Sequence, residues 1–302
     1  MKTCFIFNPC SGKNRRNPWL ATAIPVFIAK HRLDASLVFT EAPGHATALA
    51  RLAIAEGCER IVAVGGDGTL NEVAQAVAGT PAVFALVPCG SGNGLALHLG
   101  IPVNPLRALE LLIDGRSHVR TIDTGEVAGR PFFNAMGLGF DAEISRRFNQ
   151  LTSRGLPAYF RTGIAVFRHH KPEQVTIISG NRRVEMETFL LAVTNSDQYG
   201  NNARIAPGAR VDDGSLDLIA VRPTGLIGAA SLAVRLFSGG FDLSRNVVRL
   251  GGERFVIERN GPGLFHTDGE THDGPARLEV VVRPANLHVS VPAPVLGGKH
   301  RS

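Results

Sequence analysis

The chain has 302 residues, enough for two domains or one large one, and 44% hydrophobic residues, enough for a sizeable core. Its net charge of +6 suits anionic partners such as nucleotide phosphates, acidic lipid headgroups or nucleic acid, and equally suits plain basic solubility. The cysteines Cys4, Cys10, Cys58 and Cys89 lack CxxC spacing, which argues against a zinc site or disulfide framework and for reduced thiols in a cytosolic protein, and no apolar run is long enough for a signal peptide or a membrane span.

Residues 4–7 read as a buried strand. The loop that follows, Asn8-Pro9-Cys10-Ser11-Gly12-Lys13, is a candidate anion site with Lys13 supplying charge, although it lacks the GxxxxGK[ST] spacing of a P-loop. A helix is expected over 18–31, a strand over 36–39 ending at Thr40-Glu41, and a helix over 44–56 with Ala46, Leu49, Ala50 and Ala53 as its apolar stripe. Ile61-Val62-Ala63-Val64 is a third strand, running into Gly65-Gly66-Asp67-Gly68-Thr69; from Leu70 the apolar period becomes helical through Val73, Ala74 and Val77. Strand, glycine turn and helix start form a phosphate cradle, because free N–H groups and the helix dipole point at an anion. Asp67 inside that turn would repel phosphate unless it holds Mg2+ or takes a proton from an attacking hydroxyl. A plain tight connector is the alternative.

Residues 83–87 form a fourth strand that enters a second glycine-rich turn, Gly90-Ser91-Gly92-Asn93-Gly94, whose hydroxyl and amide groups suit phosphate or ribose; a loop without ligand is the alternative. Two such turns at strand C-termini are where open α/β sheets bind ligands. The repeated strand–helix order to about residue 115 predicts an N-terminal doubly wound parallel sheet with helices on both faces.

Beyond that point strands are expected over 119–127 and 131–135, joined by a turn at Gly129-Arg130. Asp141 suits an N-cap of the next helix. Residues 144–171 hold Arg146, Arg147, Arg154, Arg161, Arg168 and Lys171 and no acid, with Phe160, Ile164 and Phe167 on one face. This pattern fits a basic amphipathic helix on an anionic membrane, each cation contributing about 1 kcal/mol, and fits equally a core-facing helix with a solvated basic face. Residues 173–193 read as two strands turning near Asn181, 195–202 as a polar loop and 224–237 as a helix. Short strands at 254–258, 264–266, 278–282 and 287–291 predict a mostly antiparallel C-terminal β-sandwich domain. Asp212-Asp213-Gly214-Ser215 suits a hard cation bound partly by carbonyl oxygens, with an Asp-Gly hairpin as the rival. His266-Thr267-Asp268-Gly269-Glu270 is a tight acidic turn.

Six segments occur in order: NPCSGK, GGDGTLNEVA, GSGNGLA, GFDA, DDGSLD and DGE. Together they resemble the signatures of the diacylglycerol kinase catalytic superfamily, which includes sphingosine and long-chain-base kinases and bacterial lipid kinases. The resemblance covers nearly the whole chain. The GGDG core alone is shared with phosphofructokinases and NAD kinases. Gly94 departs from many diacylglycerol kinases, which carry an aspartate after the asparagine.

The resemblance implies ATP-dependent transfer of the γ-phosphate to a hydroxyl of a diacylglycerol-, ceramide- or sphingoid-base-like lipid, with Mg2+. It implies a nucleotide domain over 1–118 and a β-rich lipid-substrate domain over 119–302, whose last segment packs back on the first. Nucleotide contacts would come from Asn8, Ser11, Gly12, Lys13, Thr40, Gly65, Gly66, Asp67, Gly68, Thr69, Leu70, Asn71, Ser91, Gly92 and Asn93. The family offers two general bases, Glu270 as in bacterial lipid kinases and Asp67 as in sphingosine kinases; Glu270 is read as the base, with Asp67 positioning metal or hydroxyl. Asp141 would belong to an acidic cluster near the lipid headgroup. A structural Mg2+ would be held by Asp213 and by backbone oxygens near Arg210 and Ser215. The expected partners are the lipid and an anionic membrane surface met peripherally from the cytoplasm, and an edge-strand homodimer is left open. The alternatives are an NAD kinase-like phosphotransferase and a non-catalytic nucleotide- or lipid-binding module. Nucleic acid is not expected, since no recognition motif is evident and aromatics are too sparse for stacking.

Overall fold

A computed structural model describes residues 1–12, 14–15, 19–149, 163, 166–167 and 169–294, with 148 and 149 as backbone only. Lys13 and most of 150–168 therefore lie outside the described residues. The chain opens with β1 (Thr3–Phe7), α1 (Trp19–His31), β2 (Ala35–Phe39), α2 (His45–Ala55), β3 (Arg60–Gly65), α3 (Asp67–Val77) and β4 (Val83–Pro88), then two short helices, α4 (Gly94–His98) and α5 (Pro105–Glu110). The four strands lie parallel in the order β2-β1-β3-β4. Every position of β1, β3 and β4 is buried, as strands covered on both faces require. The chain leaves β1 toward β2 on one side and returns as β3 on the other. The loops after β1 and β3 therefore diverge at a topological switch point, which opens a crevice at the sheet's C-terminal edge.

The second half begins with β5 (Ser117–Val127), β6 (Arg130–Phe132), β7 (Ala135–Gly139) and α6 (Phe140–Asn149). Then follow β8 (Glu173–Ser179), β9 (Arg182–Thr188), β10 (Leu190–Thr194), β11 (Gln198–Gly200), β12 (Ala203–Arg204), β13 (Leu216–Val221) and α7 (Leu226–Ser238). The chain ends in β14 (Val247–Gly252), β15 (Arg254–Arg259), β16 (Gly263–Thr267), β17 (Glu270–Gly274) and the long β18 (Arg277–Pro292). β18 joins the halves. Its first part pairs antiparallel with β15, and its second part pairs parallel with β4 through His288 and Val289. β5 runs antiparallel along nearly all of it. The first sheet thus continues from its parallel part through β18-β15-β8-β9, while the second has the order β14-β13-β10-β7-β16-β17. Phe132, Ile177, Phe255 and Val280 of the first sheet and Met136, Leu138, Leu191, Leu218 and Phe265 of the second share one buried core. The result is a parallel-sheet N-terminal domain with a C-terminal antiparallel β-sandwich.

The sandwich departs from the sequence reading in detail. The strand expected over 131–135 is two strands, β6 and β7, in different sheets. The corner between them forms because the Asp268 carboxylate accepts the N–H groups of Phe133, Asn134 and Ala135. The preceding turn is Ala128-Gly129, both at positive φ, rather than Gly129-Arg130. Residues 173–193 hold three strands, the third crossing to the other sheet, and the polar loop contains the small β11–β12 hairpin. The strands at 278–282 and 287–291 merge into β18, with a register shift between Arg283 and Leu287. In the basic segment, Arg146 and Arg147 both pair with Glu143, which stands just before the acid-free stretch.

Candidate active site

β1, β3 and β4 are neighbours, so the loops at their C-terminal ends meet. Asn8 Nδ2 donates to Thr69 Oγ1 at 2.8 Å, and the Gly66 N–H donates to Ser11 Oγ at 3.2 Å. These bonds tie the first loop to the second. Gly12 has φ +51°, and a Cβ there would overlap the Cys89 carbonyl oxygen, so the first loop rests on the third where only glycine fits. Gly12→Ala is expected to cost about 2 kcal/mol or more, from left-handed strain plus the overlap, and to lower the melting temperature by a few degrees. Gly261, which has open space and no positive φ, should accept alanine without a measurable change.

Asp67 opens α3 and is half-buried. Its carboxylate accepts the backbone N–H groups of Asn93, Gly92 and Gly94 as well as its own. Burial against the third loop pushes its pKa up, and these N–H bonds oppose that shift. A Cβ on Gly90 or Gly92 would come within 3.1 Å of Asp67 Oδ2, so the glycines are what let the carboxylate lie flat on the loop. Asn93, at φ 53°, keeps a buried Oδ1 without a hydrogen-bond partner. An unpaired acceptor beside an amide cradle is what a nucleotide or a hydrated cation would complete.

The other expected nucleotide residues divide by position. Gly68 and Ser91 are exposed at the rim, Asn71 is half-buried on α3, and Thr40 is buried with its N–H donated to the Phe7 carbonyl at 2.9 Å. Gly65 lies against the Thr69 side chain at a distance that excludes a Cβ. Leu70 stands apart: its side chain belongs to the core of the parallel-sheet domain, and its N–H is spent on the Gly66 carbonyl. Both its side chain and its N–H thus seat α3.

The acidic turn at 268–270 reaches the same loops through Asn134. Asp268 is held by N–H bonds of 2.8, 2.8 and 2.9 Å from Phe133, Asn134 and Ala135. Burial pushes its pKa up, and the three donors counter that shift. The Asn134 side chain lies against Gly94, where a Cβ would meet Nδ2 at 2.8 Å. Its Oδ1 accepts from Ser196 Oγ. The second glycine turn, which holds Asp67, is thus one residue removed from the turn that presents the exposed Glu270. This contact also accounts for the missing aspartate after Asn93, because Asn134, Gly200 and Gln198 fill the space that a side chain at 94 would need.

Asp141 is only 3% exposed and does not face a surface. Its Oδ2 accepts from Tyr199 Oη at 2.7 Å and lies 2.8 Å from His266 Nε2. His266 Nδ1 accepts the Gly269 N–H, which puts the ring proton on Nε2, toward Asp141. Gly137 makes room, since a Cβ there would collide with both partners. Tyr199 stands on the β11–β12 hairpin, whose Asn201 N–H bonds the Gly92 carbonyl at 3.0 Å. Asp141 therefore connects the acidic turn to the second glycine turn from the inside, where it braces both.

Residues 2–127 match the family model described as the diacylglycerol kinase catalytic domain. Residues 134–291 match the YegS C-terminal NAD kinase beta sandwich-like domain. A Pseudomonas fluorescens protein named "Probable lipid kinase YegS-like" is 32% identical over 88% of this chain and 89% of its own length. The chain belongs to the diacylglycerol kinase catalytic-domain family. A Bacillus subtilis protein named diacylglycerol kinase is 28% identical over 95% of both chains. Among solved structures, one chain from Bacillus anthracis superposes with a TM-score of 0.81 at 22% identity, covering 98% of this chain and 96% of that one. Another, described as a diacylglycerol kinase, gives 0.72 at 22% identity over 98% of both. At that identity the structures speak for the fold alone.

In this family member the expected cation loop is shaped by a residue the sequence did not single out. Asp123, buried on β5, accepts the N–H groups of Gly214 at 2.7 Å and Ala285 at 2.8 Å. Asp212 is engaged by Arg120 and Arg210. Asp213 is exposed and accepts the Ser215 N–H at 3.1 Å. No group of three or more His, Cys, Asp or Glu side chains that could hold a metal occurs among the described residues; the expected set has one carboxylate, with backbone oxygens near Arg210 and Ser215 as the rest. Asn134, Tyr199 and Asp123 escaped sequence reasoning because each works through a partner tens of residues away. His266 alone carried a local signal, its place in the acidic turn.

Proposed function

We propose that this lipid kinase uses ATP as phosphoryl donor and the hydroxyl of a diacylglycerol-like lipid as acceptor, with ceramide and sphingoid bases as the alternative acceptors. The observation that carries the reading is the approach of two carboxylate turns, at Asp67 and at Glu270, through the contact of Asn134 with Gly94. Phosphoryl transfer needs positioned phosphates and a group that takes the hydroxyl proton, and little else from the protein. The N–H groups of the GGDG and GSGN turns would hold the phosphates, aided by Asn8, Ser11 and Thr69. Glu270, exposed and free of an ion pair in the described structure, would accept the lipid hydroxyl proton. Mg2+, for which the Asp67 carboxylate and the unpaired Asn93 Oδ1 are suitable oxygens, would supply charge neutralisation between the phosphates. Asp67 would turn from the loop amides toward that charge. A second cation at Asp213 would have a structural role only, holding the loop that Asp123 already shapes.

The names of the relatives support a lipid acceptor, and the NAD kinase likeness is one of the C-terminal fold. The test is transfer of radiolabelled γ-phosphate by purified protein to diacylglycerol, ceramide or sphingosine in mixed micelles, with NAD as the soluble competitor. Label is expected in the diacylglycerol product and to require Mg2+. Label in NADP, or in no lipid at all, would overturn the reading.

A further inference from the structure

The apolar residues most open to solvent gather on α7 and the turn after it. Leu226 is 75% exposed, Ile227 90%, Val234 69% and Leu243 78%. Ile227, Ala230 and Val234 recur at i, i+3, i+7, so they form one stripe along a helix about 20 Å long. The opposite face is ordinary core: Leu232 and Leu236 pack with Ile205, Ile219 and Tyr199. Single exposed apolar residues need no explanation, but a helix apolar on both faces has a second partner.

Charge identifies it. Between 222 and 245 the chain carries Arg222, Arg235 and Arg245 against one acid, Asp242, and Asp242 is bound to Arg249 at 2.8 Å. The Arg222 N–H bonds the Asn246 carbonyl, which sets Arg222 beside Arg245 near the start of α7. Arg235 reaches the Gly240 carbonyl at the other end, close to Leu243. The apolar stripe is therefore flanked by cations at both ends. A second copy of this chain would bring identical arginines together across a two-fold axis, since such an interface pairs a patch with itself. An anionic bilayer meets both features at once: acyl chains for the stripe and headgroups for the arginines.

We infer that the outer face of α7, with Leu243, docks on an anionic lipid bilayer. The inference deepens the reading that the acceptor is a membrane lipid and rests on it. The placement is apt, because the inner face of α7 packs on Tyr199, whose hydroxyl bonds Asp141 behind the acidic turn. One helix layer therefore separates the docked face from the residues that brace the site.

The test is sedimentation of the full chain with phosphatidylglycerol-rich and pure phosphatidylcholine vesicles, comparing the native protein with the double variant Ile227→Asp, Val234→Asp. Both side chains are open to solvent, so the fold should survive, and circular dichroism checks this. The native protein is expected to bind the anionic vesicles, and the variant's affinity to fall by at least about tenfold, since two apolar side chains are withdrawn from the bilayer. Phosphorylation of short-chain diacylglycerol in micelles should stay within about twofold of native. Equal vesicle binding by the variant, or equal binding to neutral vesicles, overturns the inference. So does a native dimer that the variant dissociates while vesicle binding is unchanged. A native protein that binds anionic vesicles but phosphorylates no micellar lipid supports the docking face and overturns the acceptor reading.

Discussion

Glu270→Gln is expected to lower lipid phosphorylation by about 10²- to 10⁴-fold, the usual contribution of a positioned general base, while leaving the fold and ATP binding intact. The residue begins β17 and is exposed, and the turn before it is fixed by Asp268 and His266 rather than by Glu270 itself. An isosteric amide therefore changes the proton chemistry and little else. Asp67→Asn should behave differently. The Asp67 carboxylate accepts N–H groups from Gly92, Asn93 and Gly94, and an amide would set its own NH2 donor against some of them. Lost turnover should then come with weaker ATP binding and a lower melting temperature. Single-turnover rates, ATP titration and thermal melts on both variants separate the roles. Near-native turnover in Glu270→Gln, with turnover abolished in Asp67→Asn, would move the base to Asp67.

That pair of outcomes also marks how far the sequence could be read. The parallel half was legible because β1, β3 and β4 are unbroken apolar runs, each ending in a glycine turn, and both signals lie within ten residues. Gly12, Gly90 and Gly92 allow close approach between the loops, whereas the sequence read its glycine clusters as room for a phosphate to approach the backbone. The sandwich was legible as alternating strands but not in its partition between sheets. Nothing in Phe132-Phe133-Asn134-Ala135 announces that the chain changes sheets there, because the cause is Asp268, more than a hundred residues later. The same limit applies to Asp141. Its local motif suggested a helix cap or a headgroup ligand, and its burial with Tyr199 and His266 depends on partners that no window of sequence contains.

Asp268→Ala carries the largest expected loss of stability, about 3 kcal/mol or more, because it strands three N–H donors at the β6–β7 corner. Each unpaired buried donor costs roughly 1–3 kcal/mol, and the cavity left behind adds to the sum. Asp268→Asn distinguishes the polar account from the packing one. Oriented with its carbonyl in place of Oδ1, asparagine keeps the bonds from Asn134 and Ala135 and turns its NH2 toward the Phe133 N–H, so about half of the loss should return. Chemical denaturation of both variants measures this. The kinetic consequence follows from the same bonds. Asn134 touches the second glycine turn and Glu270 stands two residues beyond Asp268, so releasing the corner loosens base and phosphate cradle together. Turnover should fall in Asp268→Ala even at temperatures where the protein is fully folded, and should recover partly in Asp268→Asn. If turnover in the folded alanine variant is native, the corner stabilises the sandwich without positioning Glu270, and the link through Asn134 is a packing contact rather than the hinge of the site.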